Sequence, residues 1–363
     1  MISKNITADI PNPLNFCGGN FQDWLEVNLI DTCNGKCMWC IEKDGFHPSQ
    51  HADWKDIAVA ILETNKKNII LLGGEPTLYK DLRQLCLFLT HHNRFVWITT
   101  NGSLITEDFI KKTFLISPPT INATNSKNKI TKENCALYGM NISIHHYNLH
   151  RNSEITGINI DYFALSKAIK LLKEMGVKTR LNCNCINGEI DNLIKIYNYI
   201  FFAKNLGVDK VRFAELKMDK DKFVDLAKIL KYQYGLNDDP FKHGCNHDAI
   251  VMGMPVNFRQ MCGLQSKLRP RPENPKQYKK QVLYYDGKIY NGWQTKQEMN
   301  IKETKMDKTN NKQKILEIIK SVKNNSMSVE TAIELIDPLI KHSGKLESTS
   351  NTTDIPSSSG CVY

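Results

Sequence analysis

Three cysteines crowd into the stretch "NLIDTCNGKCMWCIEKDG", residues 28–45, at positions Cys33, Cys37 and Cys40. This stretch overlaps the end of an apolar run at residues 25–30 that is typical of a buried strand. A structural zinc site uses four closed ligands, but the nearest further cysteines, Cys17 and Cys86, stand alone. A 4Fe–4S cluster takes one ligand on each iron, so three protein thiolates leave one iron open to a small molecule. The spacing therefore favours a cluster that takes part in chemistry.

The composition is that of a globular protein with one large domain and an appendage, or with two domains. The chain has 363 residues, of which 41% are hydrophobic, and it contains eleven cysteines. No apolar run is long enough to span a bilayer, and residues 1–24 lack the apolar segment of a signal peptide. In a reducing compartment three crowded cysteines favour a metal site over disulfides. We therefore expect a cytoplasmic protein that has no membrane partner.

Six apolar segments are predicted to form strands, and four amphipathic segments of helical length lie between them. The strands are predicted at residues 25–30, 68–74, 95–102, 140–146, 178–186 and 210–216. The helices are predicted at residues 53–65, 81–92, 161–176 and 189–207. This alternation indicates an α/β fold with right-handed crossovers and a parallel sheet. Six units are too few for a closed eight-stranded barrel, so we predict a partial (β/α)6 TIM-like barrel with functional groups at the strand ends.

The chain divides into five predicted regions. These are an N-terminal extension at 1–21, the barrel core at 22–225, a small C-terminal cap at 226–300, a helical pair at 301–345 and a disordered tail at 346–363. The cap includes a hairpin predicted at residues 282–293 that turns on Asp286-Gly287. The polar segment 117–134 is interpreted as an insertion.

The motifs at the first two strand ends resemble those of the radical SAM superfamily. The first is C-x3-C-x2-C with Trp39 before its third cysteine, and the second is Gly73-Gly74-Glu75-Pro76, which is similar to the family's GGEP motif. The resemblance implies an enzyme whose cluster is held by Cys33, Cys37 and Cys40. In that family the open iron binds the amino and carboxylate groups of S-adenosylmethionine (SAM), and the reduced cluster cleaves SAM to methionine and a 5′-deoxyadenosyl radical. The resemblance covers residues 22–217.

The same resemblance places SAM contacts at the ends of several strands. The GGEP residues Gly73, Gly74, Glu75 and Pro76 would bind the methionine amino group, because glycines allow close approach and a carboxylate accepts from an ammonium. Trp39 is a further expected cofactor contact. The SAM carboxylate and ribose would be contacted by residues on the third, fourth and fifth strands, namely Thr99, Thr100, Asn101, Ser143 and Asn182.

Within the superfamily, the segments "LLGGEPTLYKDL" and "KVRFAELK" look like strand ends of MoaA and of peptide-modifying enzymes with SPASM or twitch extensions. Those relatives carry added cysteines for auxiliary clusters. Cys245 and Cys262 lie in the corresponding region, but Trp293 stands where a further cysteine is expected. The cap is therefore interpreted as a degenerate SPASM/twitch-like region, which argues against an auxiliary cluster. Two ordinary buried cysteines are the alternative.

Four side chains near strand ends are candidates for substrate contacts. They are Arg180, Arg212, His145 and Lys217. The arginines are expected in or beside the barrel mouth, where a guanidinium can bind a phosphate or carboxylate bidentately. The alternative is that they pair with Glu215 or Glu75. A substrate-polarising role for His145 competes with that of a hydrogen-bonded structural histidine.

These observations predict a radical SAM enzyme that acts on a small molecule or peptide in a biosynthetic pathway and takes electrons from a donor such as flavodoxin or ferredoxin. The net charge of +10 and the basic run at 266–280 leave modification of a nucleotide or nucleic acid as an alternative. A non-catalytic, metal-stabilised nucleic-acid-binding module is a third reading, but nothing in it requires GGEP. The stretch 243–248, "HGCNHD", could supply zinc ligands, although they alternate too closely for a tetrahedral site.

Overall fold

A computed structural model describes residues 23–40, 47–48, 50–116, 134–216, 220–241, 245–260 and 281–293. Its ten strands form one sheet with the order β10-β9-β1-β2-β3-β4-β5-β6-β8-β7. The strands are β1 Trp24–Asn28, β2 Asn68–Leu72, β3 Phe95–Thr100, β4 Gly139–Ser143, β5 Lys178–Cys185, β6 Lys210–Glu215, β7 Asn246–Val251, β8 Met254–Arg259, β9 Gln281–Leu283 and β10 Ile289–Asn291. The sheet is open, with β10 at one edge and β7 at the other. This confirms the predicted α/β partial barrel.

Helices cross between consecutive parallel strands along the barrel. They are α1 Trp54–Glu63, α2 Leu82–His91, α3 Glu107–Phe114, α4 Leu149–Thr156, α5 Tyr162–Glu174, α6 Leu193–Leu206 and the short α7 Leu226–Lys228. Side-chain caps begin five of the first six, at Asp53, Thr106, Asn148, Asp161 and Asn192. Each of these side chains accepts a backbone N–H of the first helical turn, which satisfies a donor that has no partner within the helix.

The two faces of the sheet differ in polarity. Alternate strand residues pack against the helices in the main apolar core, among them Leu25, Val27, Ile69, Leu71, Ile98, Met140, Ile142, Leu181, Val211, Phe213, Val256 and Phe258. Because successive side chains of a strand point to opposite faces, the residues between them line the inside of the barrel. Many of these inner residues are buried and polar, namely Glu26, Asn28, Asn141, Arg180, Arg212, Asn257 and Arg259.

The six predicted strands and four predicted helices are all present, and so is the hairpin, in which Gly287 turns with φ 77°. Helices α3 and α4 were not predicted, because each is only eight residues long and has few apolar positions. The pair β7–β8 was also missed. Strand β8 runs parallel to β6 and carries polar residues on the inner face, so its sequence lacks a continuous apolar run.

Both edges of the barrel are extended by late segments of the chain. Strand β9 pairs in parallel with β1, and β10 pairs antiparallel with β9. Just after β10, Trp293 donates its indole N–H to Glu26 of β1, with a distance of 2.6 Å between Nε1 and Oε2. Trp293 thus contacts a side chain on the inner face of the barrel, and it stands at the position where a cysteine had been expected.

Several of the predictions lie outside the described residues. These are the extension 1–21, most of the insertion 117–134, the basic run 266–280, the helical pair, the tail, Cys262 and Lys217. The division into five regions remains a prediction. Within the part of the chain that the structure describes, no helix is long and apolar enough to cross a bilayer.

Replacing Trp293 by Phe tests the bond to Glu26. A smaller aromatic ring remains, but a buried carboxylate loses a hydrogen-bond donor, so we expect the free energy of unfolding to fall by about 1–3 kcal/mol. Urea denaturation followed by circular dichroism measures this. In the control Tyr290→Phe, the lost hydroxyl bonds the turn residue Asp286, and a smaller loss of about 1 kcal/mol or less is expected. An unchanged stability of Trp293→Phe would show that the bond contributes nothing.

Candidate functional site

The loop after β1 is held against the end of β2 by main-chain contacts. Gly74 N donates to Ile30 O at 2.5 Å, and Glu75 N donates to Thr32 O at 2.8 Å. A Cβ atom at Gly73 or Gly74 would overlap the backbone of residues 30–32. Gly73 also has φ 139°, which glycine adopts without strain. The two glycines of the GGEP motif therefore allow the loop that carries the cysteines to lie against the second strand.

The cysteine loop is also tied to two other elements. Lys36 N donates to Thr156 O at the end of α4 at 2.6 Å. On the other side Asn34 donates to Ser103 Oγ at 2.9 Å and accepts from Asn101 Nδ2 at 2.7 Å. The loop thus contacts the ends of β2 and β3 and the helix that follows β4.

The three thiols lie within this anchored loop at the mouth of the barrel. Cys33 is exposed, and Cys37 and Cys40 are half-buried. Burial raises the pKa of Cys33, the N–H of Gly35 opposes that shift, and the charges of Glu75 and Cys40 raise the pKa further. Among the described residues no three His, Cys, Asp or Glu side chains stand in a metal-binding arrangement. The fit to an iron–sulfur cluster therefore rests on the donor set, three accessible thiols on one loop, which leaves a fourth iron without a protein ligand.

Glu75 is the most constrained polar residue of the site, with an exposed fraction of 1%. Its Oε1 accepts from the backbone N–H and the hydroxyl of Thr77, at 3.1 and 2.6 Å, and from the hydroxyl of Thr100 at 2.7 Å. Its Oε2 accepts from the N–H of Asn101 at 2.7 Å. The carboxylate therefore links the ends of β2 and β3. Its negative charge also contributes to the raised pKa of Cys33.

The other expected SAM contacts lie at neighbouring strand ends. The hydroxyl of Thr99 accepts from Asn141 Nδ2 at 3.1 Å, and Thr100 contacts Glu75. Ser143 and Asn182 are half-buried neighbours on β4 and β5. Asn182 Oδ1 is buried and has no hydrogen-bond partner among the described residues. The strand ends thus gather polar groups beside the cysteine loop, and their individual roles remain predictions.

His145 is a neutral imidazole held between β5 and the cysteine loop. The ring Nδ1 accepts the backbone N–H of Asn184 at 3.0 Å, and the backbone N–H of His145 donates to Asn152 Oδ1 at 2.8 Å. Burial lowers the pKa of His145 to about 3, so at neutral pH the ring is uncharged with its proton on Nε2. The ring meets Trp39 edge to face, with centroids 4.8 Å apart. These contacts support the structural reading of His145.

Four basic side chains converge on the inner face of the barrel. They are Arg180 of β5, Lys210 and Arg212 of β6, and Arg259 of β8, and all are buried. Arg180 and Arg212 are each the third residue of their strand, so they lie inside the barrel below the mouth rather than at it. Burial lowers the pKa of Arg180 to about 9, and the positive charge of Arg259 adds to this shift. We call these four residues the basic cluster.

Lys210 and Arg212 of the basic cluster bond to residues of β7 and β8. Lys210 Nζ bonds Asp248 Oδ1 at 2.9 Å, and Arg212 Nε bonds Asn257 Oδ1 at 2.8 Å. Arg259 is 2% exposed, and its Nε and Nη1 have no hydrogen-bond partner among the described residues. Buried cations are costly unless they are paired. The guanidinium of Arg259 is therefore a candidate for contact with an anion inside the barrel.

Only two members of the basic cluster were predicted from the sequence. Lys210 and Arg259 were missed, and so were Asp248 as a partner of Lys210 and Asn257 as a partner of Arg212. The available signal was the alternation of Lys210 with Arg212, and of Asn257 with Arg259, at a spacing of two residues, which places each pair on one face of its strand.

The part of the chain that carries the cysteine loop and the GGEP residues matches a known protein family. Residues 27–115 match the family model described as the Radical SAM superfamily. The chain is 23% identical over 272 residues to the GTP 3′,8-cyclase of Aquifex aeolicus, covering 72% of this chain and 71% of the relative. It is 30% identical over 206 residues to a probable GTP 3′,8-cyclase of Sulfurisphaera tokodaii, covering 55% of this chain and 57% of the relative.

A third relative and one solved structure complete the comparison. A SAM-dependent nucleotide dehydratase of a Thermoplasmatales archaeon is 36% identical over 90 residues, which cover 24% of this chain and 32% of the relative. The crystal structure of Streptococcus suis SuiB matches with a TM-score of 0.50 and 18% identity, covering 78% of this chain and 62% of SuiB. At that identity the likeness to SuiB concerns the fold alone.

Replacing Glu75 by Gln tests the link between β2 and β3. An NH₂ group in place of Oε2 would put two hydrogen-bond donors face to face, because the N–H of Asn101 points at this atom. We therefore expect the free energy of unfolding of the metal-free protein to fall by about 1–3 kcal/mol. The matched control is Glu174→Gln on the exposed end of α5, which should change stability by about 0.5 kcal/mol or less. Equal effects of the two substitutions in thermal denaturation would contradict the structural role of Glu75.

Proposed function

We propose that the protein, which belongs to the radical SAM superfamily, carries out radical chemistry on an anionic substrate of the nucleotide class held by the basic cluster. The basic cluster is the observation that carries this proposal, because it gathers buried positive charge below the cysteine loop. The nucleotide alternative is also supported by the relatives, two of which are GTP 3′,8-cyclases by name. The small-molecule or peptide substrate favoured by the sequence analysis has no comparable support.

Cys33, Cys37 and Cys40 would hold a 4Fe–4S cluster, and the polar groups at the ends of β2 to β5 would contact SAM. When bound, the cluster and SAM would supply a 5′-deoxyadenosyl radical for abstraction of a hydrogen atom from the substrate. Cys33 and the other thiols must be deprotonated to bind iron, so the raised pKa of Cys33 makes assembly release a proton. An electron donor such as flavodoxin or ferredoxin would provide the reducing electron.

The chain contributes positioning and exclusion of water around these groups. Glu75 fixes the ends of β2 and β3 beneath the loop through its four hydrogen bonds. Trp39 packs with Ile155, Ile186 and Leu216 in an apolar cluster at the ends of α4, β5 and β6. Such a wall limits the access of water to a reactive radical, which prevents side reactions.

The basic cluster would bind phosphate oxygens of the substrate inside the barrel. Arg180, Arg212 and Arg259 present planar guanidinium groups from three strands, and Arg groups bind phosphate bidentately. Their low exposure strengthens this attraction, because solvent screens buried charges less. A substrate anchored here would place its remaining parts toward the cysteine loop at the strand ends.

Replacing Cys37 by Ser tests the cluster. Anaerobically reconstituted parent protein should contain about four irons and should form 5′-deoxyadenosine from SAM with dithionite as reductant. Cys37→Ser should lose most of its iron and all of this product, whereas Cys135→Ala, which alters a buried cysteine outside the loop, should retain both. Stoichiometric zinc without iron in the parent would refute the cluster, and about eight irons would indicate a second one.

Replacing Arg259 by Ala tests the substrate class. We expect the dissociation constant for GTP to rise about ten- to hundredfold, since a charge-assisted hydrogen bond is lost, and that for guanosine to change by about threefold or less. Isothermal titration calorimetry measures both constants. Lys112→Ala removes a cation that is 75% exposed on α3 and should leave both constants unchanged. Equal GTP affinity in parent and Arg259→Ala would argue against an anion site at the basic cluster.

A further inference from the structure

A chain of side-chain hydrogen bonds supports the basic cluster from the edge of the sheet. Asp248 Oδ1 accepts from Lys210 Nζ at 2.9 Å and from Asn257 Nδ2 at 3.2 Å. Asn257 Oδ1 in turn accepts from Arg212 Nε at 2.8 Å. Asp248 and Asn257 are directly opposite each other in the antiparallel pair β7–β8, and Asn257 is opposite Arg212 in the parallel pair β8–β6.

These contacts fix the orientation of the Asn257 amide. The amide has one donor end and one acceptor end. The carboxylate oxygen of Asp248 is a hydrogen-bond acceptor. The NH₂ group therefore faces Asp248, and the oxygen faces Arg212 Nε. Asn257 is fully buried, so no water competes for either end. The result is that Arg212 is oriented through its Nε.

Asn257 also keeps this contact of Arg212 electrically neutral. An aspartate at the same position would have almost the same size, but it would form an ion pair with Arg212 and repel Asp248. At this contact the acceptor for Arg212 is therefore neutral, and Asp248 bonds the other end of the same amide.

The surroundings show that charge is concentrated at this point. Lys210 has a lowered pKa because of burial, which its bond to Asp248 opposes, and the charges of Arg180 and Arg212 lower it further. The pKa of Arg180 is lowered by burial and by Arg259, and raised by Asp248. Asp248 is thus a carboxylate that reduces the repulsion between cations of the basic cluster. The neutral amide of Asn257 lies between Asp248 and Nε of Arg212.

We propose that Asn257, oriented by Asp248, is a positioning residue that sets the charge of the basic cluster and thereby its preference for substrates with several negative charges. This inference rests on the proposed function, because it assumes that the basic cluster binds the substrate. It assigns to β7 and β8 a part in specificity that neither the cysteine loop nor the SAM contacts provide.

The test changes charge at two neighbouring positions in opposite directions. Calorimetric titration of the reconstituted full chain uses GTP, GMP and guanosine as probes. Asn257→Asp should weaken GTP binding by about tenfold or more, GMP binding less, and guanosine binding by about threefold or less, since only the attraction to charge is reduced. Asp248→Asn should tighten GTP binding by about threefold or more for the opposite reason. The double variant restores the net charge and should return most of the parent's preference for GTP over guanosine.

Controls separate a charge effect from a loss of structure. Asn152→Asp makes the same chemical change at a buried asparagine on α4, whose Oδ1 bonds the N–H of His145, and it should leave the ratio of GTP to guanosine affinity unchanged. Asn257→Leu removes the bond to Arg212 without adding charge. It should weaken GTP binding less than Asn257→Asp does. If Asn257→Asp fails to fold, the tightening expected for Asp248→Asn still decides the matter.

The outcomes distinguish the inference from the function on which it rests. A parent protein that binds GTP no better than guanosine would overturn the proposed anionic substrate. A parent that prefers GTP, together with an Asn257→Asp variant that keeps this preference or an Asp248→Asn variant that shows no tightening, would overturn the inference alone. Recovery in the double variant would support charge balance rather than shape as the basis of the effect.

Discussion

The close approach of two main-chain segments, at the ends of β1 and β2, is the constraint on which the site depends. Gly73 and Gly74 leave no side chain between the second strand and the loop after the first. Once the loop lies there, the carboxylate of Glu75 connects it to β3 through buried hydrogen bonds. These contacts hold the loop that carries the thiols at the mouth of the barrel. A loop without these contacts would pay the entropy of ordering at the moment of cluster assembly.

The sheet separates two tasks between its faces. The outer face supplies stability through a continuous apolar core with the helices. The inner face carries polar and charged side chains that a protein selected for stability alone would replace by hydrophobic ones. Arg259 illustrates this, because it is buried on β8 while part of its guanidinium has no hydrogen-bond partner among the described residues. Charge retained at such cost is typical of a ligand-binding interior.

The sequence was sufficient for the barrel and for the motifs at its mouth, because hydrophobic alternation and the cysteine spacing are local signals. It could not identify Asn257 as a partner of Arg212, or Asp248 as the partner of Asn257, because both belong to strands that a search for apolar segments does not find. Nor could it predict the tautomer of His145, which depends on the backbone N–H of Asn184 in another strand. In both cases the missing information was long-range pairing rather than local preference.

The bond between Trp293 and Glu26 joins residues 267 positions apart, and the pairing of β9 with β1 spans a similar separation. Among the described residues, this side of β1 is therefore covered only by a segment that is synthesised long after it. Topologies with such high contact order fold slowly and expose strand edges to intermolecular pairing in the meantime. The nascent chain thus depends on this hairpin to cover a hydrogen-bonding edge that is made much earlier in its synthesis.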